Sequence, residues 1–153
     1  MIRMRIEGVG FDHQNNPVVV LKDIEGTRRL PIWIGITEAQ SIAMELEGKT
    51  PPRPLSHDLL RNILDQLNIS VQRVVINDLQ DSTFFAVISL QTKRGVKEID
   101  SRPSDALALA ARTKAPIFVT GKAMDAMDTL PEEDEEVEKF KKLMQDLEMK
   151  DEE

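Results

Sequence analysis

The stretch SRPSDALALAART, residues 101–113, has a counterpart 67 residues earlier. TEAQSIA (37–43) falls on SDALALA (104–110), sharing a hydroxyl, an acid, an alanine, two variable positions, Ile or Leu, and a second alanine. At the same offset VVVL (18–21) falls on FAVI (85–88), and Ile32 falls on Ile99. Three matches in one register predict an internal duplication.

Each copy is preceded by the same run of signals. IRMRIEGVGF, VVVLKDI and RRLPIWI read as strands in the first half; VQRVVINDL, FFAVISLQT and VKEID do so in the second. Branched and aromatic residues favour the pleated backbone, and DHQNNP, EGT, QDS and KRG supply the turns between. The unit is therefore three strands and a helix, with pseudo-repeats at about 1–48 and 69–115. Between them SHDLLRNILDQLN (56–68) places apolar residues at 59, 60, 63, 64 and 67, the stripe of a linking helix. APIFVT (115–120) predicts a short strand, and residues 132–149 an amphipathic helix bearing Val137, Phe140, Leu143, Met144 and Leu147. Hairpins followed by helices give an α+β fold with a mixed or largely antiparallel sheet, not a doubly wound one. The expected division is a body over 1–125 and an acidic C-terminal helix and tail over 126–153.

The chain has 153 residues and no cysteine, enough for one core and no thiolate chemistry. No apolar run reaches the length of a membrane span, and the N-terminus lacks a signal-peptide core, so a cytoplasmic location is expected. The formal charge of -7 is unevenly spread. Residues 123–153 hold 13 acids against four bases, leaving the rest slightly basic. A phosphate-bearing partner is thus compatible with the body.

Two polar clusters stand at predicted helix starts, RPLSHDLL (53–60) and SRPSDALA (101–108). Capping accounts for much of them: Ser56, Ser101 or Ser104 can cap, and Glu38, Asp58 and Asp105 lie where the helix dipole favours an anion. Capping does not account for Arg53 and Arg102, since the dipole disfavours a cation there. Arginine before a helix start suits bidentate recognition of phosphate, or a salt bridge from Arg102 to Glu38 or Asp58. His57 is the histidine flanked by both an acid and an arginine, which suits proton transfer.

LPIWIGITEAQSIAMELEG, RPLSHDLLRNIL and SRPSDALALAARTKAPIFV together resemble the bifunctional nuclease (BFN) domain family of bacteria and plants, over roughly residues 1–125. The resemblance implies hydrolysis of phosphodiester bonds in RNA and DNA, with RNA or DNA as partner. Residue chemistry suggests the roles. Glu38 and Asp105, equivalent under the offset, would approach across a pseudo-twofold axis and could hold Mg²⁺ or Mn²⁺. His57 with Asp58 would move the proton, while Arg53, Arg102 and Ser104 would bind substrate. The competing expectation is a non-catalytic nucleic-acid- or nucleotide-binding domain, or a scaffold dimerising through an apolar face around Trp33. A homo-oligomer, as a dimer, is expected.

Overall fold

A computed structural model describes residues 1–128. The expected helix over 132–149 lies outside these residues. The element order is β1 (Ile2–Phe11), β2 (Pro17–Asp23), β3 (Arg29–Trp33), α1 (Ile36–Leu46), α2 (Ser56–Gln66), β4 (Ser70–Gln80), β5 (Thr83–Thr92), β6 (Gly95–Ser101), α3 (Pro103–Thr113), β7 (Ile117–Val119) and α4 (Gly121–Asp128). This is an α+β architecture, as the alternation of hairpin and helix signals predicts.

The seven strands form one mixed sheet in the order β3-β2-β1-β7-β4-β5-β6. Two antiparallel meanders flank β7, which pairs antiparallel with β1 and parallel with β4. Shifting α1 by 67 lands on 103–113, the bounds of α3, so the element pattern recurs in the register seen in the sequence. One element was not anticipated: α4 spans the expected 125/126 boundary and buries Ala123 and Met124 against the core.

The apolar alternation of the strands and the alanine-rich face of α3 meet in one core. Leu21, Leu30, Ile42, Val74, Ile76, Leu107 and Val119 are fully enclosed there. α3 is the middle helix, packed against α1 on one side and α2 on the other, with β4 and β5 beneath it. Small residues at 106, 108 and 110 let it approach its neighbours closely. β6, at the sheet edge, lies beyond this helical cover, and Ile99 is 46% exposed.

The helix starts differ from the expected serine caps. The N-cap residues are Gly35, Leu55 and Arg102, none with a side-chain cap. Ser56 and Ser104 fall inside their helices. At α2 the free end is instead satisfied from the third helical residue: Asp58 Oδ2 accepts from the Leu55 amide at 3.0 Å. At α3, Pro103 occupies the first turn and holds Arg102 extended, with φ -66° and ψ 144°.

Candidate functional site

The N-terminal turns of α1, α2 and α3 bring their polar residues to one place. Asp105, in the first turn of α3, accepts from Arg102 Nε at Oδ2 (2.9 Å) and from Nη2 at Oδ1 (3.2 Å). The same Nη2 donates to Glu38 Oε1 at 2.8 Å. Asp105 Oδ1 also lies 2.9 Å from His57 Nε2, and His57 Nδ1 lies 2.7 Å from Ser41 Oγ. The result is a continuous chain, Ser41–His57–Asp105–Arg102–Glu38, drawn from three helices.

Its members differ in access to solvent. Ser41 and His57 are buried, Asp105 is one-third exposed, and the Arg102 side chain is 65% exposed. Burial raises the Asp105 pKa, but the hydrogen bonds from Arg102 and His57 outweigh it and hold the carboxyl below its ordinary value. Asp105 and then Glu38 hold the guanidinium above its own. Gly35 contributes by its lack of a side chain, because a Cβ there would collide with Glu38 Oε2. Glycine therefore leaves room for the carboxylate that braces Arg102.

Asp58 stands apart from this chain. Adjacent helical residues point in different directions, so His57 and Asp58 cannot share one partner. Asp58 accepts from Arg112 Nε at 2.7 Å; Arg112 also donates to the carbonyls of Ala108 (3.0 Å) and Ser41 (3.3 Å). Burial raises the Asp58 pKa, and bonding to Arg112 and to the Leu55 amide reverses that and lowers it. The acid beside His57 in space is Asp105, not its sequence neighbour. Asp58 with Arg112 locks α2 and α1 onto α3.

Glu38 and Asp105 are linked through Arg102, whose Nη2 donates to both. Both carboxylates are committed to the guanidinium, which supplies the positive charge between them. They form no ready divalent-ion site, since an ion would have to displace Arg102. Among the described residues no group of three or more His, Cys, Asp or Glu is placed to hold a metal. Ser104 is buried in the first turn of α3. Arg53 is exposed ahead of α2 and makes no hydrogen bond or ion pair among the described residues. Ser41 and Arg112 were not anticipated. Ser41 was within reach of sequence reasoning, being three residues after Glu38 and so on the same helix face. Arg112 was not, because its role depends on how α2 crosses α3.

Beside the chain opens a cleft of about 530 Å³ between α2 and the β5–β6 floor. Leu60, Leu64, Ile88, Leu90, Ile99 and Leu109 form its apolar walls; His57, Ser101, Arg102 and Asp105 stand at its polar end. A mostly apolar recess with a few convergent polar groups is the usual form of a small-molecule or substrate site.

An α+β domain with a histidine–carboxylate–arginine chain at the mouth of an apolar cleft is the class that the fold and site define. The chain belongs to the bifunctional nuclease domain family, which matches residues 19–131. It is 40% identical over 156 residues to uncharacterized proteins of two Mycobacterium tuberculosis strains, covering 94% of this chain and 93% of theirs. It is 28% identical over 112 residues to Bifunctional nuclease 1 of Arabidopsis thaliana, covering 71% of this chain and 34% of that protein. No helix among the described residues is long and apolar enough to cross a membrane.

Proposed function

We propose that this chain is a phosphodiester hydrolase acting on RNA and DNA, with its centre at Asp105, His57 and Arg102. The observation that carries the reading is the exposed Arg102 guanidinium, hydrogen-bonded to Glu38 and Asp105 at the end of a cleft and backed by a buried histidine. Membership of the nuclease family and likeness to the plant nuclease support it.

Arg102 keeps one edge, Nη1, outside these hydrogen bonds, and that edge receives a phosphoryl oxygen and stabilises its charge in the transition state. Asp105 orients the attacking water and takes its proton, while the leaving oxygen is protonated from solvent. His57 steadies the carboxylate through Nε2, and Ser41 fixes the imidazole ring. Because the Asp105 pKa is lowered, it is a weak base, and its main contribution is orientation. Turnover should accordingly be slow. The charge at the centre comes from arginine, so no step is assigned to Mg²⁺ or Mn²⁺. Glu38 acts through Arg102 and is a positioning residue. Arg53, exposed and unpaired among the described residues, is available to hold the strand at a distance.

A second reading rests on the same interlock. Arg102, Asp105 and Glu38 already partner one another, an arrangement that suits nucleic-acid binding without turnover. Cleavage of labelled RNA and DNA by purified protein, with and without EDTA, decides between them. The hydrolase reading expects cleavage that survives EDTA and is lost in Arg102→Ala and Asp105→Asn with the fold intact. Equal cleavage by all three proteins points to a contaminant. Salt-sensitive binding with no cleavage supports the binding module.

A further inference from the structure

The cleft is a substrate subsite of defined chemistry. Resting on the hydrolase reading above, we propose that it seats one unpaired nucleobase, which makes single-stranded nucleic acid the substrate class.

The walls of the recess are aliphatic, and its hydrogen-bonding side chains gather at the end held by Arg102 and Asp105. A nucleobase has apolar faces and polar edges. Aliphatic walls can sandwich the faces but cannot read the edges. Such a seat accepts any base and makes no demand on the sugar 2′-hydroxyl, so it suits both RNA and DNA.

The register of the floor adds a second cation. Ile88 pairs with Ile99 and Leu90 with Lys97 across β5 and β6. Directly opposed residues share a face of the sheet, so Lys97 stands on the cleft side, beyond Leu90 and away from Arg102. Lys97 is exposed and has no partner among the described residues. Alternation along β6 turns Glu98 to the other face, while Asp100 joins Ser101 in lining the polar end of the cleft. The floor thus presents a cation at each end and apolar surface between them, the layout that tracks a strand backbone while burying a base. A base inside a duplex is stacked and paired, and cannot enter without being flipped out.

The experiment is a titration of the full chain, with Ile and Leu methyl groups labelled for NMR. The probes are a short single strand, the same strand made abasic, and its blunt duplex. The intact strand should move the methyls of Leu60, Leu64, Ile88 and Ile99, and bind about 10-fold tighter than the abasic strand through burial of the base faces. Ile99→Asp, at an exposed position, should erase that preference while the unfolding midpoint holds. Lys97→Ala should weaken binding alike for all sequences and lower the salt dependence. Equal binding of intact, abasic and duplex probes overturns the proposal. So do methyl shifts that follow protein concentration without nucleic acid, which would mean that a second copy fills the cleft. If no probe is cleaved but the methyls respond as expected, the base seat stands and hydrolysis falls. If intact and abasic strands are cleaved equally and the methyls do not move, hydrolysis stands and the seat falls.

Discussion

Arg102 and Arg112 each bind a carboxylate across helices, but they do opposite work, because one faces water and the other does not. The Arg112 side chain is 2% exposed, and its partner Asp58 is nearly as enclosed. Replacing Arg112 by methionine would leave that carboxylate buried without its counter-charge. The expected cost is about 3–5 kcal/mol, read from urea unfolding. Arg102→Ala removes two ion pairs made by a guanidinium that is itself 65% exposed, and should cost clearly less than Arg112→Met while abolishing cleavage. Equal destabilisation by the two substitutions would place Arg102 in the scaffold. A subtler test uses Gly35→Ala, where the added methyl collides with Glu38 Oε2. Nothing else lies close to that methyl, so the fold should persist. The Glu38 carboxylate must swing away, and cleavage should fall about 10-fold or more through looser placement of Arg102. At this scale the sequence exposed the residue types and the helix starts, but not the partners. His57 and Asp58 are neighbours in the chain and look like a dyad; helical geometry sends them to Asp105 and Arg112 instead.

The β1–β2 turn shows how one carboxylate organises an element. Asp12 is buried, which raises its pKa, yet it accepts from the Asn16 amide, Trp33 Nε1, Asn16 Nδ2 and the Gln14 amide. Those bonds outweigh burial and hold the group at about 2, below the ordinary 3.8. A carboxylate with a depressed folded pKa contributes stability that is fully present above the unfolded value. That contribution is lost as pH falls through the folded one. The window is therefore about pH 4 down to 2, with up to roughly 2 kcal/mol at stake. Trp33 is the single tryptophan, so its emission should report loosening of β3 from the turn across that window. In Asp12→Asn the acid-dependent step should disappear. The linking helix α2 illustrates what periodicity leaves open. Its stripe was legible, but not the direction in which it faces. Leu59, Leu60, Ile63 and Leu67 are exposed, whereas His57 and Asp58 are buried. The helix is turned with its polar start inward because Arg112, Asp105 and Ser41 wait there, and those partners come from other elements.

At the scale of the whole molecule, the recurring pattern in the chain made both meanders and both of their helices legible, and the offset of 67 even carried the bounds of α1 onto α3. Less legible was the join, because it is made by the shortest strand. β7 has three residues, yet it pairs with β1 on one side and β4 on the other, and among the described residues no other strand touches both halves. Ile117 and Val119 sit in the same core cluster as Leu21 of the first half and Ile76 of the second. Both meanders therefore depend on one tripeptide for continuity of the sheet, while α3 ties them together above it through α1. Cooperative unfolding of residues 1–128 as one unit is the expected consequence. Trp33 emission samples β3, and amide exchange in β5 samples the opposite side of the sheet; the two should give one midpoint in urea. Proline at Phe118 is the decisive perturbation. It removes a backbone donor from the strand opposite Arg3 and Val75, in the middle of a sheet where proline is not accommodated. If β7 joins the halves as the pairing indicates, Phe118→Pro should lower both midpoints together. A Trp33 transition that stays in place while β5 shifts would mean that the first meander folds alone.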